Sequence, residues 1–384
     1  MINFKKFIFF ILANLLLFLL LETILTFFFV MHKANYYGPL ARLFVNEKTS
    51  KKTVMYNTKF SKKTGMLIPG EIKYADHEHR VNKFGFIGED VSLENKSGCR
   101  LVALGGSTTA GIETKETYPK ILENLLNNDQ FNCEVLNFGF SGKALNYLEK
   151  ILVNEASKFK PNVIIIMSNR NSTMYDSYVT SAVATDIVDN KYDLFLYEFK
   201  NFLFLEVMTY RFLSLAYNRG LSLLYDDENK IMSPFNPTNF HSIKYFENGY
   251  KDQILRINSY CKERGMKLVL VKQAIFIDIN MQKIINALSK EEIIKNLINY
   301  KDEKNYSNKT DLFWMYTNAI LNKNLDEIVA ANKNISLVDP TQNLYEKNKL
   351  DFFQEDGLHL NFQGNQVIAN KIFESLMSNK LFEK

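Results

Sequence analysis

Residues 162–167, Asn-Val-Ile-Ile-Ile-Met, constrain the fold more than any other stretch of this chain. The run is apolar from Val163 to Met167 and rich in β-branched side chains, so as a strand it has no polar face to offer water. Strands covered on both sides belong to parallel sheets with helices above and below. Shorter apolar runs recur at 100–104, 133–137, 267–272 and 335–339. Helical patterns lie between them, at 117–128, 146–159 and 247–264, on to about 332, and at 364–378; Pro119 falls in a first turn, where proline is tolerated. This alternation predicts right-handed β-α-β units, hence an α/β fold of three layers with a mostly parallel central sheet. In such folds, sites lie at the carboxyl ends of the strands.

Composition removes several function classes. Lys plus Arg is 47 and Asp plus Glu is 42, a net +5 spread thinly over 384 residues. With no basic stripe to track phosphates, no nucleic-acid partner is expected. Three Cys cannot make a disulfide scaffold, and no C-x-x-C or close His/Cys group suggests a zinc site. Cys99 and Cys133 each start a strand that should neighbour the other, so the two thiols are expected close together, with Cys261 free. A bond between them needs an oxidising compartment and Cα atoms within about 7 Å. The 31 Phe and 20 Tyr read mostly as ordinary core.

Residues 7–31 form the longest apolar run, long enough for a helix to cross a hydrocarbon layer of about 30 Å. It exceeds the apolar core of a secretory signal, and no A-x-A-like cleavage pattern follows. A single-pass N-terminal transmembrane anchor over 1–32 is therefore expected, acting as an uncleaved signal-anchor. Glu22, the one ionisable residue inside, either faces a partner or sits high enough to reach water. Lys5 and Lys6 precede the run while Lys33 and Arg42 follow it, a near tie. A short tail with two lysines stays inside, which makes the N-terminus cytoplasmic and the large domain extracytoplasmic. Residues 33–98 read as a juxtamembrane lead-in, with Gly85 supplying a turn, and 99–384 as the main domain. The β-α rhythm breaks at about 173–242, an expected insertion whose aromatics either wall the site or pack on the domain's flank.

Four strand ends carry polar signals. The first strand runs into L-G-G-S-T-T-A-G (104–111), where two glycines permit a sharp turn that exposes the Ser107 hydroxyl. No G-K-[ST] follows as in a P-loop, and Thr109 stands where a G-x-S-x-G elbow has its second glycine. Taken alone, such a turn also occurs at nucleotide sites. The second strand runs into N-F-G-F-S-G (137–142), and the third into M-S-N-R-N-S (167–172), presenting Asn169 and Asn171. The fourth signal is E-D-G-L-H-L-N (355–361), just before the last helix. In a helical turn, Asp356 and His359 share a face, so the carboxylate accepts from Nδ1–H and leaves Nε2 as a base.

In this order and spacing the four blocks resemble the SGNH hydrolases, also called GDSL-type esterases and lipases, here of a membrane-anchored bacterial type. The resemblance covers roughly residues 80–380 and implies an SGNH/flavodoxin-like sheet. It places a serine nucleophile at Ser107, and Asp356 and His359 complete the catalytic triad. Ser107, Gly142 and Asn171 would form the oxyanion hole. The triad mechanism so implied requires neither metal nor cofactor. Two departures stand out: Gly106 replaces the Asp of G-D-S, and Asn169 and Ser172 flank Asn171 where the family has Gly and Asp. The implied activity is ester hydrolysis by the triad on an acylated glycan, such as O-acetyl groups of envelope polysaccharide, or on a lipid ester. The alternatives are an O-acyltransferase acting on a glycan with the same triad, and an inactive glycan-binding or scaffold protein.

Overall fold

A computed structural model describes residues 4–31, 60–61, 64–74, 77–95, 98–111, 114–173, 245–276, 279–302, 310–346, 348–354 and 356–379. The chain divides into two compact units, residues 1–56 with 186–236, and 57–185 with 237–384.

In the first unit, helix α1 (Phe4–Met31) forms over the long apolar run. Its side chains are described from Leu12 to Leu25; half of them are exposed leucines, whereas Glu22 and Leu25 are buried. Among the described residues, no helix is long and apolar enough to cross a membrane.

The second unit is built on five parallel strands: β3 (Arg100–Gly105), β4 (Glu134–Gly139), β5 (Val163–Met167), β6 (Lys267–Val271) and β7 (Ile335–Val338), ordered β4-β3-β5-β6-β7. Every residue of β3 and β5 is buried, as expected for strands apolar at nearly every position. The helices are α2 (Ser107–Ala110), α3 (Tyr118–Asn128), α4 (Leu145–Asn154), α5 (Tyr250–Glu263), α6 (Ile279–Ala287), α7 (Lys290–Asp302), α8 (Thr310–Ala331), α9 (Thr341–Tyr345), α10 (Lys349–Phe352) and α11 (Phe362–Ser378). Leu122 and Leu126 of α3 and Ile368 and Ile372 of α11 pack with Leu101, Ala103 and Ile165 of the sheet in one core. From β3 the chain moves outward to β4, then crosses back to β5 on the other side of β3. The winding thus reverses between β3 and β5, and it is at the carboxyl ends of the strands flanking such a reversal that sites form in sheets of this kind.

The structure adds a hairpin to the lead-in, β1 (Gly70–Tyr74) paired antiparallel with β2 (His77–Val81). Its inward positions on β2 are His79 and Val81. A histidine occupies a core position there, so the alternation of apolar residues that marks a strand is missing. The lead-in then lies along the free edge of β4, with Ile87 N–H donating to the Asn137 carbonyl at 3.1 Å. Gly85, at φ +86°, makes the expected turn, and the Asn82 side chain accepts from the Phe84 and Phe86 N–H groups.

Cys99 and Cys133, at the amino ends of β3 and β4, have Cα atoms 4.6 Å apart and are disulfide-bonded. Cys261 is free and buried, and desolvation pushes its thiol up to about 12. Of the insertion expected at 173–242, all but Thr173 lies outside the described residues.

Candidate active site

Ser107 is the first residue after Gly106 at the end of β3, at the start of the short helix α2. Its Oγ lies 2.9 Å from Nε2 of His359, which is 252 residues distant in sequence. On the other side of the ring, His359 Nδ1 is 2.5 Å from Oδ2 of Asp356. Serine, histidine and carboxylate thus form a continuous hydrogen-bonded chain at the carboxyl end of β3.

The Asp356–His359 turn differs from the expected helical one. Gly357 has φ +66°, a left-handed conformation that a helix does not contain, and the segment folds as a tight loop closed by the Phe353–Leu360 bridge. Asp356 Oδ1 accepts from the N–H groups of Leu358 (2.9 Å) and His359 (3.0 Å). The carboxylate therefore folds its own loop with one oxygen and orients the imidazole with the other. Burial works to raise the Asp356 carboxyl, but the His359 hydrogen bond and charge, with the two N–H groups, outweigh it and bring it down to about 2. Gly357 is also pressed on the β6 side. Its N–H and C=O bond to Gln354 and Phe276, and a Cβ there would collide with the Phe276 carbonyl oxygen.

The remaining predicted residues lie on two neighbouring loops. Gly142, at φ +73°, is in the turn after β4. Asn171 starts the turn after β5 and donates from Nδ2 to the Lys143 carbonyl at 3.2 Å. Its amide rests against Gly106, immediately before the nucleophile: a Cβ on Gly106 would overlap Nδ2 and lie 3.3 Å from Cγ. Gly106, Ser107, Lys143 and Asn171 therefore meet in one place.

Asn169 does not join them. Fully buried, it donates from Nδ2 to Asn322 of α8 at 2.5 Å and accepts from the Tyr250 hydroxyl at 2.9 Å. Its backbone N–H, like that of Arg170, donates to the Gln273 side chain. Ser172 has a different task. Its Oγ accepts from the Leu145 N–H at 3.1 Å, the first orphan donor of α4, which Ala144 at the cap position cannot satisfy. The two departures around Asn171 thus anchor its loop to α8 and α4.

Sequence reasoning missed Gln273, the residue that clamps the β5 loop, although its place just past β6 is where the strand-end rule points. It also missed Lys143, whose ammonium lies 4.8 Å from the centres of both the Phe60 and Tyr147 rings. Among the described residues, no group of three or more His, Cys, Asp or Glu side chains is placed to hold a metal ion.

No family model matches the chain, and no curated protein matches it. Solved structures similar to it include LAE5, an α/β hydrolase enzyme from the metagenome of Lake Arreo. Identity there is 14%, over 75% of this chain and 97% of that one, at a TM-score of 0.41. A GDSL-like lipase from Bacteroides thetaiotaomicron is 11% identical over 75% of this chain and 93% of its own, at 0.38. A catalytic mutant of Axe2, an acetylxylan esterase from Geobacillus stearothermophilus, is 14% identical over 73% and 94%, at 0.41. Likeness of this degree carries no functional argument.

Proposed function

We propose that this chain is a serine esterase of the SGNH type that cleaves acyl esters in two steps. The observation that carries the reading is the hydrogen-bonded chain from Ser107 Oγ through His359 to Asp356. His359 Nε2 takes the hydroxyl proton as Ser107 Oγ bonds to the ester carbonyl carbon. The tetrahedral oxyanion is held by the Ser107 and Gly142 N–H groups and the Asn171 amide. His359 then protonates the departing alcohol, leaving an acyl-serine. Water attacks the acyl-serine with His359 again as base, releasing the acid and restoring the serine. Asp356 stays ionised throughout, which its lowered carboxyl supports.

The substrate proposed is an O-acylated envelope glycan or a lipid ester, reached by a domain tethered through α1 on the extracytoplasmic side. The apolar sequence of α1 and the Cys99–Cys133 bond, typical of oxidising compartments, favour this location.

Hydrolysis of acetyl, butyryl and longer esters by the purified protein, with Ser107→Ala and His359→Ala, tests the activity. Each variant is expected to lose about 10⁴–10⁶ in turnover, and the double variant scarcely more, because the members act as a unit. Additive losses, or full activity without Ser107, overturn the reading. Transfer to added sugar outrunning hydrolysis would make the same site an O-acyltransferase.

A further inference from the structure

We infer that Lys143 is a positioning residue for Gly142: its ammonium, clamped between two aromatic rings, fixes the turn that presents the Gly142 N–H, and Phe60 of the lead-in supplies one of those rings. The inference rests on the esterase reading and concerns residues outside both the triad and the oxyanion hole.

The turn after β4 is short and tied at both ends. Phe140 N–H donates to the Gly105 carbonyl at 2.9 Å, two residues before the nucleophile, and Lys143 N–H donates back to the Phe140 carbonyl at 3.1 Å. Gly142 lies between these two residues at φ +73°. The direction of its N–H therefore follows from where the chain is held at Phe140 and at Lys143. A donor fixed in advance is the one that stabilises a developing oxyanion most.

Both of those side chains enter one aromatic cluster. The Phe140 ring lies 5.7 Å from that of Tyr147, edge to face, and 6.2 Å from that of Phe60. Phe60 and Tyr147 meet each other edge to face at 6.1 Å. The Lys143 ammonium lies 4.8 Å from the centre of each of these two rings. Lys143 is buried, so the pull of the ring faces on the cation is little weakened by solvent. The rings are themselves held. Tyr147 sits on α4 and its hydroxyl donates to the Gly65 carbonyl. Phe60 belongs to a closed loop in which Ser61 N–H donates to the Met66 carbonyl and Phe60 bridges to Leu67. The lead-in, which reads in sequence as a connecting stretch, thus forms one wall of the clamp behind the oxyanion turn.

The experiment compares Lys143→Met, Lys143→Arg and Phe60→Leu in the full chain. Its readouts are kcat and KM for an acetyl ester and thermal unfolding, with Ser107→Ala as reference. Methionine keeps the length and packs well against rings while removing the charge, so the variant is expected to fold. Its kcat should fall at least about tenfold, toward the roughly 10²-fold that a misplacement of about 1 Å costs, with KM changed less than about threefold. Arginine returns a cation to the rings and should keep kcat within about threefold of wild type. Phe60→Leu should lower kcat about as much as Lys143→Met. The double variant should lose no more than about twofold beyond either single, because each change opens the same clamp.

Wild-type kcat in Lys143→Met overturns the inference. So does an arginine variant as slow as the methionine one, or a double variant whose loss is the product of the two single losses. Should Lys143→Met not fold, Lys143→Gln, which keeps a polar end without the charge, carries the same requirement; should Phe60→Leu not fold, the Lys143 variants decide alone. Hydrolysis that survives Ser107→Ala would instead strike down the esterase reading itself.

Discussion

Replacing Asp356 with Asn removes one proton acceptor and almost nothing else. The amide keeps an oxygen at the Oδ1 position, where it still receives the Leu358 and His359 N–H groups at 2.9 and 3.0 Å. At the Oδ2 position, 2.5 Å from Nδ1, it presents an NH₂ group that cannot accept a proton. The imidazole then favours the tautomer with its proton on Nε2, which donates toward Ser107 and cannot take its proton. Turnover should fall about 10⁴-fold, roughly 5.5 kcal/mol of barrier, with the loop geometry retained.

The stability cost is smaller. A carboxyl drawn from its ordinary 3.8 to about 2 is worth at most about 2.4 kcal/mol. The side chain is 44% exposed, so solvent screening brings this to about 1 kcal/mol. Because the folded value is depressed, this contribution is complete above the unfolded range near pH 4 and is lost as pH falls toward 2. Asp356→Ala should match Asp356→Asn in activity yet lose about 1 kcal/mol more, since two loop N–H groups lose their acceptor. Urea unfolding at pH 7 and near pH 2, with kcat on an acetyl ester, measures both effects. A kcat for Asp356→Asn within tenfold of wild type, or a stability gap undiminished near pH 2, would refute the reasoning.

Three further outcomes are expected. Reducing the Cys99–Cys133 bond, which closes a separation of 34 residues, should cost about 4 kcal/mol of stability. It should leave kcat unchanged, because the bond lies at the opposite ends of β3 and β4 from Ser107; denaturant melts and ester turnover with and without reductant check both. Asn169→Ala leaves the buried Tyr250 hydroxyl without its acceptor and should destabilise by about 1–3 kcal/mol. Its kcat should change far less than that of Asn171→Ala, and the reverse order in steady-state kinetics would make Asn169 the donor. Gly357→Ala places a side chain at φ +66° against the Phe276 carbonyl, so at least about 1–2 kcal/mol is lost and His359 is shifted. Wild-type kcat in that variant would show that the loop adapts without moving the base.

The sequence alone determined the layering and the location of the chemistry. Strands such as 163–167 have no polar face, which requires helices on both sides, and β-α-β handedness then sets the carboxyl ends of the strands as the place to look. Ser107 and the Asp356–His359 pair were legible because a sharp Gly-Gly-Ser turn and a D-x-x-H spacing are local patterns. The lead-in hairpin was not, since its inward residue on β2 is His79, and a histidine in a core position breaks the periodicity that reveals a strand. The detailed form of the His359 loop was likewise hidden: the three-residue spacing suits a helical turn and a carboxylate-closed loop equally, and contact of Gly357 with Phe276 on a distant segment selects the loop. Between Asn169 and Asn171, two residues apart with the same side chain, block spacing pointed to Asn171 only through the resemblance. The physical difference lies in the tertiary structure: one meets Tyr250 and Asn322, the other Gly106 and Lys143, because the packing of α5 and α8 on the end of β5 decides which amide is buried. Local chemistry is written in short stretches of chain, whereas the choice between equivalent neighbours depends on residues that folding brings from far away.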